Sequence, residues 1–161
     1  MTEILPFLLA LHALAAVVWV GGMFFAYMVL RPSVPAIEPP PERLKLWARV
    51  FKRFFKWVWL SIIALMLSGY WQVAFDFAGF ENAGMHIHWM HGTGWLMSLI
   101  FFYLFFRPYA AYKTAVRTED WAAAREQLEK IRRIVGINLI LGLITVAMGS
   151  SGRLWASFPG A

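Results

Sequence analysis

From Ile4 to Leu30 the chain carries no Asp, Glu, Lys or Arg, and this run limits the fold more than any other feature. A helix crosses a ~30 Å hydrocarbon core with ~20 apolar residues, so the run spans a bilayer with residues to spare. It is too long and too aromatic for a cleaved leader, and no small-residue cleavage pattern follows it. Pro6 fits a first-turn position, where its missing N–H costs nothing. Three further apolar stretches lie at about 54–75, 88–106 and 134–151, the last being the shortest. Only 15% of residues are charged, against ~25% in a soluble domain. The expectation is an all-α integral membrane protein, a four-transmembrane-helix bundle forming one domain over 1–161 in the lipid bilayer.

The net charge of +6 would suggest nucleic acid in a soluble chain. Here its distribution gives another reason. Residues 31–56 hold seven Lys and Arg, residues 107–133 hold seven more, and Arg153 is the fifteenth. Cytoplasmic loops collect positive charge, so both basic segments are read as cytoplasmic. Both termini and the 76–87 loop then face the periplasm. A multi-pass protein of the bacterial inner membrane is expected, with no nucleic-acid partner.

The two basic connections differ. Segment 31–42 contains Pro32, Pro35, Pro39, Pro40 and Pro41, which predicts an extended or turning linker. Segment 119–133 has a helical pattern that runs into the fourth span. Thr118 is its expected N-cap, and Arg125–Glu129 and Glu126–Lys130 are its i,i+4 pairs.

The chain has no Cys, which removes disulfides, thiolate metal sites and Cys nucleophiles. No carboxylate lies inside a span, so hydrolytic chemistry and a proton relay have no residues to run on. No catalytic residue is assigned, and if the chain is an enzyme, redox chemistry is the class left to it.

What the spans do contain is histidine. His12 lies in the first, and His86, His88 and His91 open the third within Met85-His86-Ile87-His88-Trp89-Met90-His91. At ~1.5 Å per residue, His12 and His91 fall at similar depths. His88 and His91 are i,i+3 and share a face, whereas His86 is expected in the loop or interface. Ionisable side chains within membrane helices usually face the bundle interior. Imidazole suits Zn, Cu, Fe and Ni. The leading expectation is a b-type haem with His12 and His91 as axial ligands, used in electron transfer with a periplasmic redox partner. Trp19, Gly22, Gly92, Gly94 and Trp95 would surround the ring, and Arg153 would meet a propionate. The alternative is copper binding or import through Met85, His86, His88, Met90 and His91, since thioether and imidazole both suit copper. Met23, Met28 and Met97 would extend that site inward, with Ser61 and Asn138 as the polar groups beyond. A third reading is a structural subunit of a larger membrane complex. Gly136, Gly142 and Gly149 could seed close contacts in a homo-oligomer.

A resemblance is carried by His12 with Trp19-Val20-Gly21-Gly22-Met23-Phe24 and Leu30-Arg31-Pro32, by Trp89-Met90-His91, and by Arg132, Arg133, Asn138, Gly142, Gly149 and Gly152-Arg153. On these residues the chain resembles the copper-resistance D (CopD) family over nearly its whole length, as a minimal four-helix form. The resemblance implies copper handling at the inner membrane. The layout is also similar to the bacterial membrane protoporphyrinogen oxidases, a haem-associated four-helix group. That group carries a Lys shortly after its third-helix His, where this chain has Gly92, Thr93 and Gly94.

Overall fold

The computed structural model describes residues 4–155, with side chains placed through Gly152. All regular elements among the described residues are helices. They are α1 (Leu5–Ala36), α2 (Pro40–Phe75), α3 (Met85–Phe106), α4 (Pro108–Arg117) and α5 (Trp121–Trp155). α1, α2, α5 and the rod formed by α3 with α4 are each long and apolar enough to cross a membrane. The all-helical, four-span membrane architecture is therefore the one the apolar runs predict. At ~1.5 Å per residue, the 36 residues of α2 reach well beyond the hydrocarbon layer.

The boundaries follow from local chemistry, though not always as expected. The proline-rich segment is mostly helical rather than extended, and the expected turn is confined to residues 37–39. α1 winds through Pro32 and Pro35 to Ala36, and α2 starts at Pro40. Pro40 and Pro41 sit in the first turn of α2, where a missing N–H is tolerated, and only residues 37–39 separate the rods. α1 is wound wide at Val17–Gly21 and Phe25–Leu30, which are π-helical. The cap of α5 is Asp120, whose carboxylate accepts from the Ala123 N–H at 3.0 Å. Thr118 instead closes α4 by bonding to the Thr114 carbonyl. Glu119, at φ 57°, makes the turn between them. Glu126 pairs with Lys130 at 2.7 Å, whereas Arg125 turns back to the Trp121 carbonyl rather than to Glu129.

α1 lies along α2, and α3 with α4 lies along α5. The α3–α5 seam is built on 3–4 spacing. Met90, Thr93 and Met97 meet Gly149, Thr145 and Gly142 in turn. A Cβ at Gly149 would fall 2.7 Å from Met90 Cε, and one at Gly142 would fall 3.0 Å from Met97 Cε. Small residues let membrane helices approach closely, and here the thioethers fill the space they leave. Asn138, buried in the seam, donates to the Met97 carbonyl at 3.2 Å.

The two ends of the bundle differ in chemistry. One end holds residues 31–56 and 107–133 and is called the basic end. Its core is a cluster of rings. Phe55 stacks on Phe51 at 5.2 Å and meets Tyr109 edge-on at 4.8 Å, while Trp59 stacks on Phe102 at 5.1 Å. Fully buried Tyr112 donates to the Leu44 carbonyl at 2.6 Å. The other, histidine end holds the start of α1, the end of α2, the start of α3 and the end of α5.

Candidate functional site

Gly84 sits in extended conformation immediately before α3, and His86 packs over it, 2.9 Å from where a Cβ would stand. α3 then presents its ligand-type side chains on two faces. His88 and His91 both approach the ring of Phe80, at centroid separations of 5.9 and 4.9 Å. Phe80 belongs to the 3-10 turn Phe80–Asn82 in the loop after α2. Tyr70 of α2 meets the His91 ring edge-on at 5.1 Å. The Tyr70 hydroxyl lies 3.4 Å from His91 Nε2 and accepts a hydrogen bond from Trp95 Nε1 at 3.1 Å. His91 is thus half-buried against Tyr70 and Phe80, and His88 is the more exposed of the two. Met85, 72% exposed, shares with His88, Trp89 and Gly92 a shallow groove of about 370 Å³.

His86 and Met90 point the other way. Both press on α5, where Gly152 and Gly149 leave room for them. His86 therefore belongs to the first turn of α3 and to its seam, not to the loop. The five expected donors are divided between two faces, with His88 and His91 toward Phe80 and His86 and Met90 toward α5.

His12 meets a different partner. Its Nδ1 lies 2.8 Å from the hydroxyl of Ser68 on α2, and Gly69 lies alongside, with a Cβ there 3.4 Å from His12 Cε1. Ser68 and Tyr70 are two residues apart, hence ~3 Å along α2 but ~200° around it. His12 and His91 therefore meet α2 at residues two apart and on different faces. Among the described residues no three of the His, Asp and Glu side chains gather closely enough to hold a metal ion by themselves.

The surroundings expected for a haem are filled by protein. A Cβ at Gly22 would strike the ring of Phe54, and Gly142 and Gly149 are occupied as described above. Trp19 is buried edge-on against Phe101 at 6.4 Å, and Trp95 is tied to Tyr70. Gly92 and Gly94 have open space in front of them, and the imidazole that lines the groove at Gly92 is His88 of the same helix. Arg153 lies in the last turn of α5, and its side chain is outside the described set. On these contacts the residues do not fit a macrocycle held between His12 and His91. Met23 and Met97 are buried core residues and Met28 is exposed, so they form no line from the surface inward. Ser61 and Asn138 are buried.

Ser68, Tyr70 and Phe80 are the contributors that the sequence reading passed over. One signal was available for Ser68. It stands about as far in from the end of its apolar run as His12 does from the start of its own.

The family model for CopD, Copper resistance protein D, matches residues 48–151, more than half of the 161-residue chain. The matched stretch includes Ser68, Tyr70, Phe80 and Met85–His91, and lies outside His12. No curated protein and no solved structure matches.

Proposed function

The chain belongs to the copper resistance protein D family, and on that premise we propose that it binds copper at the histidine end of its bundle, with His88 and His91 as principal ligands. The family points to copper and offers nothing for haem b or electron transfer. The observation that carries the reading is the convergence of two i,i+3 imidazoles on one aromatic residue, Phe80, at an accessible end of the bundle. His91 Nε2 makes only a 3.4 Å contact with Tyr70, beyond the usual range of an N–H···O or O–H···N bond. Its lone pair remains available to a metal.

Imidazole nitrogen with thioether sulfur favours copper over hard cations. Met85, exposed beside His88, is the thioether best placed to join them. The rings of Phe80 and Tyr70 restrict water around His91, and such a shell influences the redox state of a bound metal. His86 and Met90 are engaged at the α5 seam and play a lesser part. Copper here is cargo, taken up from the side that the histidine end faces. Fourteen of the fifteen Lys and Arg residues lie at or near the basic end, which supports placing that end in the cytoplasm and the histidine end in the periplasm of a bacterial inner membrane.

The test is a Cu(I) titration of the detergent-purified protein against a chromophoric chelator. The H88A/H91A double variant should lose at least ~10–100-fold in affinity, the scale on which metal-site residues act. Unchanged affinity would refute the assignment. A visible spectrum of protein from haem-replete cells should lack a Soret band. A Soret band abolished by H91A would replace copper with haem.

A further inference from the structure

At the basic end, α1 and α5 each bring an arginine to the same place. Tyr27 of α1 packs on α5 at Gly136, where a Cβ would fall 3.1 Å from the Tyr27 ring. Arg31 lies about one turn beyond Tyr27 in α1, and Arg132 lies about one turn before Gly136 in α5. The two helices run in opposite directions, so both steps lead toward the basic end and finish at one level. The charge of Arg31 is accordingly felt at Arg132. Each guanidinium rests on a ring. Arg31 Cζ stands 4.8 Å from the Tyr27 centroid, and Arg132 Cζ stands 5.6 Å from that of Trp47 on α2.

What this cluster lacks is an acceptor. The ion pairs among the described residues are Arg43–Glu38, Lys45–Glu42 and Lys130–Glu126, and none includes Arg31 or Arg132. Glu129, three residues before Arg132, influences it without pairing. Arg132 Nε and Trp47 Nε1 are both buried with no hydrogen-bond partner. A ring attracts a guanidinium through its face, but it does not use up the N–H donors as a carboxylate does. Two like charges and surplus donors thus share one spot with no protein oxygen to take them, and such groups call for a partner from outside the chain. The level indicates which partner. Arg31 is the first charge after the apolar run from Ile4, and Arg132 and Arg133 are the last before the run that begins at Ile134. Hydrocarbon gives way to headgroups at such a boundary.

We propose that Arg31 and Arg132 form a two-guanidinium seat for a phosphate group, presented by a phospholipid of the leaflet at the basic end or taken as free phosphate. Guanidinium forks match phosphate oxygens bidentately, and an anion between two cations offsets their repulsion. The seat lies at the opposite end from the histidines and does not depend on the copper reading.

The experiment uses the full chain, delipidated in neutral detergent. Thermal unfolding is followed against added dioleoylphosphatidylglycerol and, separately, inorganic phosphate. Wild type should show a saturable rise of the unfolding midpoint. A response to phosphatidylglycerol alone identifies a lipid as the source, and a response to inorganic phosphate identifies the free anion. R31Q/R132Q should raise the half-saturating concentration ~10–100-fold. R117Q/R133Q removes two exposed charges from the same end and should leave it within about twofold. R31K/R132K keeps both charges but loses the forks. It should weaken binding about tenfold, and it decides the matter if the glutamine pair does not fold. No saturable response to either probe overturns the proposal. So does an unchanged response in R31K/R132K. Equal loss in R31Q/R132Q and R117Q/R133Q would trace the effect to the general field of the basic end and also refute the seat.

Discussion

The two ends of the bundle are made from different materials. At the basic end, large rings from α2, α3 and α4 fill the interior, and the main polar tie there is the bond from Tyr112 to Leu44. At the histidine end, rings stand at the margin, and the interior holds glycine, thioether, hydroxyl and imidazole. Thr145 lies 2.8 Å from Thr93 across the α3–α5 seam, and His12 lies 2.8 Å from Ser68 across the α1–α2 contact. Between lipid and protein there is little hydrophobic difference, so membrane helices associate through packing and polar contacts. The aromatic end is joined mainly by ring packing, and the histidine end by small-residue packing and polar contacts.

That contrast can be broken by substitution. The largest effect should come from F55A, which opens the stacked cluster and should cost ~3–5 kcal/mol of stability, while Cu(I) affinity changes less than about twofold, as its own ring–ring contacts are remote from the ligands. Thermal unfolding and chelator competition on one preparation check both halves. An equal loss of copper would show that the two ends are not separable. H91A should do the reverse. Affinity should fall ~10–100-fold, equivalent to about 1.4–2.7 kcal/mol, and the unfolding midpoint should stay near wild type. H86A should reduce affinity less than H91A, because its ring packs on Gly152. A larger loss from H86A would move the site to the α5 face. T145V should cost ~0.6 kcal/mol, the typical size of a polar contact between membrane helices, and a loss rivalling F55A would place cohesion at the histidine end after all. K130A should be smallest, removing an exposed helix pair that contributes ~0.3–0.5 kcal/mol.

The four spans were legible because charge is excluded from hydrocarbon and the runs between charges are long. In the linker the turn was legible, at 37–39, but the helix on either side of it was not, for a local reason. Five prolines within 31–42 look like extended chain, but a proline at a first turn begins a helix as readily as it prevents one, and the sequence does not say which role each takes. The same ambiguity put the α5 cap at Thr118 in place of Asp120. The side chains that complete the site were beyond such reasoning. The i,i+3 spacing of His88 and His91 is periodic and can be read from one helix. Phe80 enters from a loop, and Tyr70 and Ser68 come from another span. Their approach depends on how helices dock, which periodicity does not encode. The expectation of one centre between His12 and His91 had no means of knowing the azimuth around α2.

Tyr70, Phe80, His88, His91 and Trp95 all lie within one α2–loop–α3 hairpin. A membrane protein is inserted as it is synthesised, and contacts between near neighbours in the chain form soonest. This face can therefore be assembled once Trp95 has left the ribosome and the hairpin has entered the bilayer, while the fourth span is still being translated. If the proposed site is the copper site, metal captured at that stage would bias the hairpin toward its mature pairing.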